Sequence, residues 1–215
     1  MDIPPEIEIL KNDLIWARHY YNQYKKLFMV SQIRIELLNK TAPEFFRLLQ
    51  EMFWDQMILR LARLTNPHKR GSDENLSAFI LLKLDEENNW GFADEIAKFL
   101  KEAKDISVSI RKRRNKLVAH RDLPTAISIG AIQDPELNVT LDQIDKALVA
   151  IGRALNVVFL KLTNTTQIWD LISPQDVDEL IGYLKFAMIY KEKRDMSQDW
   201  QKNSDESRNS KYRDA

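Results

Sequence analysis

Apolar residues recur at steps of three and four along most of this chain, and only five glycines interrupt the pattern. That period lines up side chains on one face of an α-helix, whereas a half-buried strand requires strict alternation. The chain is therefore expected to be all-α, a bundle of long antiparallel helices. Leu10, Leu14, Ala17, Tyr21, Tyr24 and Phe28 form the first stripe, on a helix opened by Pro4-Pro5. Proline suits a first helical turn because its missing N–H has no partner there anyway. A short helix is expected after Ser31, through Ile33 and Leu37. Thr41-Ala42-Pro43-Glu44 has the spacing of a capping box. It opens a long helix through Phe45, Leu49, Met52, Phe53, Met57, Leu61 and Leu64, which Asn66-Pro67 stops.

The second half follows the same logic. A polar loop over 66–75 leads to a short apolar helix over about 76–84, and Asn88-Asn89-Trp90-Gly91 breaks it. A long helix is predicted from about Phe92 to His120, bent near Asp105. Pro124 disfavours helical geometry at Leu123, so this helix ends near Asp122. Residues 123–139 read as a long loop with a short strand at Ile127-Ser128-Ile129. Thr140-Leu141-Asp142-Gln143 is a second capping box, opening a helix through Ile144, Leu148, Ile151, Leu155 and Val158. After a break at 163–166, Ser173-Pro174 opens a last helix through Val177, Leu180, Ile181 and Leu184, to about Tyr190. Residues 1–190 thus form one helical domain. Residues 191–215 are charged, Asn/Ser-rich and without periodicity, and read as a disordered tail.

Several function classes drop out. Lysine plus arginine balance aspartate plus glutamate at 32 each, so affinity for nucleic acid must come from a local patch. There is no cysteine, which removes disulfides, thiolate nucleophiles and Cys-type zinc sites. The N-terminal Met1-Asp2-Ile3-Pro4-Pro5-Glu6 does not read as a signal peptide, and no apolar run reaches the length of a membrane span. A cytoplasmic protein without a membrane anchor is expected. No Gly-rich phosphate loop and no His-Glu-x-x-His motif are present. His68 lies in a basic loop and His19 on a helix face. Asp85-Glu86-Glu87 reads as solvated charge. Trp54, Trp90 and Trp169 read as packing residues rather than a stacking platform. No metal or other cofactor is implied.

One stretch stands apart. Between Ile110 and Asp122 lie six cations, Arg111, Lys112, Arg113, Arg114, Lys116 and Arg121, with His120 among them and no acid before Asp122. Cations hold phosphate, and an imidazole moves protons near neutral pH. On a wheel of about 100° per residue, Ile106, Ile110, Arg113, Leu117 and His120 share one face, and Arg114 lies about 120° from His120. Geometry alone therefore favours Arg113 as the partner of His120. The helix C-terminus favours the imidazolium and the surrounding cations oppose it, so His120 is expected to titrate near neutrality. Cations at a helix end also complement the macrodipole, which accounts for part of the cluster without any function.

Arg114-Asn115-Lys116-Leu117-Val118-Ala119-His120 resembles the signature of HEPN domains, an Arg followed by Asn or Asp and then, after four to six intervening residues, a His. The wider pattern Arg-Asn-Lys-x-x-Ala-His-Arg-Asp is similar to the subfamily named for abortive-infection proteins of type U. Leu59-Arg60-Leu61-Ala62-Arg63-Leu64-Thr65-Asn66-Pro67 resembles that subfamily's second long helix and its exit, and the similarity extends over about 5–190. The resemblance implies a metal-independent endoribonuclease, a homodimer with a composite site, and a role in phage defence or as a toxin. It implies that His120 transfers the proton, that Arg114 binds the scissile phosphate, and that Asn115 orients it. Arg111, Lys112, Arg113, Lys116 and Arg121 are expected to contact the RNA backbone. An antitoxin of the nucleotidyltransferase type is a further expected partner. The alternative is a non-catalytic HEPN module that binds RNA or a partner protein.

Overall fold

The computed structural model describes residues 3–70, 72–118, 135–169 and 175–196. Among them are eight α-helices: α1 (Pro5–Phe28), α2 (Gln32–Thr41), α3 (Pro43–Leu64), α4 (Ile80–Asn88), α5 (Ala93–Ile106), α6 (Val108–Arg113), α7 (Leu141–Thr163) and α8 (Gln175–Met196). A two-residue antiparallel ladder, Lys69 to Glu74 and Arg70 to Asp73, closes the loop after α3. The fold is all-α. Among the described residues no helix is long and apolar enough to cross a membrane.

The directions of the long helices follow from which residues meet. Asp13 meets Arg60, Tyr20 meets Phe53, and Tyr24 meets Gln50, so positions fall along α3 as they rise along α1. Arg18 meets Asp145 and Lys11 meets Phe159, so α7 also runs opposite to α1. Phe99 meets Arg153 and Phe92 meets Lys161, so α5 runs opposite to α7. The result is an antiparallel bundle in which α5 on α7 and α1 on α3 form the most extensive interfaces. α7 is its centre, with Ile144, Leu148, Ile151, Leu155 and Val158 all buried, as its periodicity predicts. Gly152 faces Trp169, whose indole N–H donates to the Gly152 carbonyl at 3.2 Å. A Cβ at Gly152 would lie 2.7 Å from the ring, so only glycine admits this contact.

The α1 stripe is buried throughout. Other faces turn differently from the prediction. In α2 the buried residue is Leu38, and Ile33 is 75% exposed. In α3 Phe46 and Ile58 are buried while Phe45 and Met52 face outward. Thr41 forms no capping box. It is the last residue of α2, and its hydroxyl donates to the carbonyls of Leu37 (3.0 Å) and Leu38 (3.1 Å). The box at Thr140 does form, with Gln143 N–H donating to Thr140 Oγ1 at 3.2 Å and Thr140 N–H to Gln143 Oε1 at 2.9 Å. The short helix α4 starts four residues later than its apolar pattern suggests, because residues 77–79 form turns and Ala78 N–H donates to Leu64 O at 2.9 Å. Asn89 and Gly91, both at positive φ, end it. Asp85 is not a solvated charge: it is buried, and its carboxylate accepts from Phe92 N–H at 2.7 Å. α8 continues six residues past Tyr190, to Met196. Ser173-Pro174, the strand at 127–129 and residues 197–215 lie outside the described residues.

Candidate active site

The helix predicted from Phe92 to His120 is built in three pieces. α5 ends at Ile106, a buried Ser107 breaks the winding, and α6 resumes at Val108. Ile110, fully buried, anchors α6 against the core. From Arg114 to Val118 the backbone winds as a π-helix. Such wide turns concentrate at functional sites. The wheel that pairs Arg113 with residue 120 assumes about 100° per residue. A π turn does not keep that step, so the register stops at Arg113.

The cations of this segment have separate surroundings. Arg111 donates to the carbonyls of Lys104 (3.0 Å) and Thr65 (3.4 Å), fastening α6 to the end of α3. Burial, with some help from Arg114, pushes its guanidinium below the usual arginine range. Lys112 pairs with Glu136 at 2.9 Å. Arg113 donates to the Leu137 carbonyl at 3.3 Å and lies near Asp55 of α3. Burial pushes the Asp55 carboxyl above its usual range, and Arg113 opposes that shift. Asn115 and Lys116 are exposed. His120 and Arg121 lie outside the described residues.

Arg114 faces elsewhere. Its Nη2 donates to the side-chain oxygen of Asn66 at 3.3 Å, and the Asn66 amide nitrogen donates to Ala62 O at 3.0 Å. Arg114 and Asn66 line a groove of about 350 Å³ with Gln56, Leu59, Arg60 and Arg63 of α3. Three guanidiniums thus line one groove, and none of its lining residues is acidic. Asp13 of α1 braces two of them, accepting from Arg63 at 2.7 Å and from Arg60 at 3.4 Å. The Nε atoms of Arg60, Arg113 and Arg114 are buried and have no hydrogen-bond partner among the described residues. Each such donor costs roughly 1–3 kcal/mol, so its persistence calls for a reason beyond stability.

The structure therefore joins Arg114 to residues for which the sequence reading assigned no role. Gln56, Arg60, Arg63 and Asn66 step by four, three and three, one helical face. Two arginines three residues apart on that face, with no acid between them, were the available signal. Among the described residues no group of three or more His, Asp or Glu side chains is placed to hold a metal ion.

A family model described as AbiU2, of the HEPN domains, matches residues 6–181. The chain belongs to the AbiU2 family of HEPN domains. No curated protein and no solved structure matches it. The AbiU2 match runs from α1 into α8. It takes in the Arg114–His120 motif as well as the α3 segment that carries Arg60, Arg63 and Asn66. Within the matched range, Arg114 and the exit of α3 are two sides of one groove.

Proposed function

We propose that this AbiU2-family chain is a metal-independent endoribonuclease of the cytoplasm, acting in phage defence or as the toxin of a toxin–antitoxin pair. The observation that carries the reading is the placement of the motif arginine, Arg114, in a groove walled by two further arginines. Such a groove suits a phosphodiester. In the proposed reaction the RNA supplies its own nucleophile. His120 takes the proton of a 2′-hydroxyl, and the 2′-oxygen attacks the adjacent phosphorus. The bond from phosphorus to the 5′-oxygen of the next nucleotide breaks, and that oxygen receives the proton. The products are a 2′,3′-cyclic phosphate and a 5′-hydroxyl. Arg114 stabilises the charge that builds on the non-bridging oxygens, and Asn115 orients the phosphate. A proton shuttle contributes about 10²–10⁴ in rate, and a preorganised donor to developing charge about 10²–10³. Arg111, Lys112, Arg113, Lys116 and Arg121 add RNA-backbone contacts. Two chains pair to form the composite site, and a nucleotidyltransferase-type protein is the proposed antitoxin.

The test compares wild type with His120→Ala and Arg114→Ala on RNA in EDTA, with growth on expression as a second readout. EDTA-resistant cleavage and growth arrest, each lowered at least about 10²-fold in both variants, are expected. Undiminished cleavage by His120→Ala sinks the mechanism. RNA binding without cleavage by the wild type moves the reading to a non-catalytic HEPN module.

A further inference from the structure

Trp16 is 53% exposed, although it belongs to the well-packed helix α1. It does not stand alone. Its ring lies 5.5 Å from the His19 ring and 6.5 Å from the Tyr20 ring. The Arg60 guanidinium lies 6.0 Å from the Trp16 ring centre and 5.3 Å from that of Tyr20. Arg60 is also a wall of the Arg114 groove. One side chain thus links the exposed Trp16, with its half-buried neighbours His19 and Tyr20, to a basic groove. The brace from Asp13 holds Arg60 and Arg63 in place while cancelling only one of the three positive charges.

We propose that Arg60, Arg63 and Asn66 form a subsite for one backbone phosphate of single-stranded RNA, next along the groove from the phosphate at Arg114, and that Trp16 is the platform on which the neighbouring base stacks. Alternating cationic and aromatic contacts are what a flexible single strand presents surfaces for: phosphates along one edge and unpaired bases along the other. A base stacked on Trp16 leaves its phosphate beside Arg60, and the strand then passes Arg63 and Asn66 to reach Arg114. A duplex has no free base face to offer Trp16, so the subsite selects single strands. The choice of RNA as ligand rests on the ribonuclease reading; the groove and platform stand on their own geometry.

The experiment measures binding of labelled single-stranded RNA to the full-length His120→Ala protein, which keeps the groove intact and avoids turnover. Arg63→Gln and Trp16→Ala are introduced into it. Both residues are more than half exposed, so the fold tolerates their loss. Arg63→Gln is expected to weaken binding and to lower the slope of log K against log salt by about 0.7, one phosphate contact on a single strand. Trp16→Ala is expected to weaken binding about tenfold with the salt slope unchanged, the mark of lost stacking rather than lost charge. A Lys146→Gln control, an exposed cation paired with Asp142, leaves both quantities unchanged. Duplex RNA is expected to show no loss with Trp16→Ala. Unchanged affinity and slope in Arg63→Gln, or no RNA binding by the parent protein, overturns the subsite. Cleavage by the wild type is scored separately, so a failure of the subsite and a failure of the ribonuclease reading give different results.

Discussion

Tyr21 lies where α1 meets α7, beside Arg18 and Asp145, and burial together with the Asp145 carboxylate pushes its phenol up to about 12. The ordinary value is 10.0. The folded state therefore holds the phenolic proton more tightly than the unfolded chain does. The associated stability is complete below the ordinary value and is lost as pH rises towards about 12. Tyr21→Phe is expected to reduce the loss of stability in that alkaline window and to remove a phenol that titrates at about 12 from the phenolate absorbance curve. Equal alkaline destabilisation in wild type and variant counts against it. The sequence shows Tyr21 as a core position by its period. It does not show Arg18, which is 2% exposed and paired with Asp145 at 2.5 Å. Those partners are 127 positions apart, and no local pattern marks such a pair. The same holds for Arg114, whose neighbour Asn66 is 48 positions away.

Two stretches of the same form, Thr41–Glu44 and Thr140–Gln143, predict the same element and give different outcomes. A capping box needs an extended residue before the first turn, so that the threonine oxygen can turn towards the N3 amide. Thr140 is extended and forms the box. Thr41 is still helical, because α2 and α3 are joined through Ala42 alone. Its hydroxyl therefore serves the end of one helix instead of the start of the next. Thr140→Ala is expected to cost about 1 kcal/mol, and thus to lower Tm by roughly 2–4 °C. Thr41→Ala is expected to cost less, and calorimetry on the two variants compares them directly. Equal losses would show that the box contributes nothing special. The π turn at Arg114–Val118 likewise departs from the regular winding that a helical wheel assumes, so the wheel's pairing of Arg113 with His120 does not carry through it.

At the scale of the whole molecule, the proposed composite site makes a prediction that no single chain can satisfy. If Arg114 of one protomer works with His120 of its partner, two inactive variants rebuild a site when mixed. Mixing Arg114→Ala with His120→Ala protein and allowing exchange is expected to restore roughly a quarter of wild-type cleavage, since half the dimers are mixed and each holds one intact site. Mixtures no more active than either variant alone argue that both residues act within one chain. Subunit exchange can be checked beforehand by labelling the two variants.

What the sequence determined by itself is what depends on near neighbours. The helical class, the stripe of α1, the buried face of α7, the Thr140 box and the stop at Asn89 and Gly91 all follow from spacings of a few residues. Backbone hydrogen bonding and side-chain periodicity act over that range. The motif around Arg114 was also legible, as a resemblance. Tertiary structure alone decided which cations share a groove. Arg111, Lys112 and Arg113 are drawn to Thr65, Glu136 and Leu137, while Arg114 turns to Asn66 and meets Arg60 and Arg63. In sequence these six cations look alike. Charge carries no direction in a sequence, and only the packing of α6 and the π turn against α3 and against residues 135–137 gives each cation its neighbour.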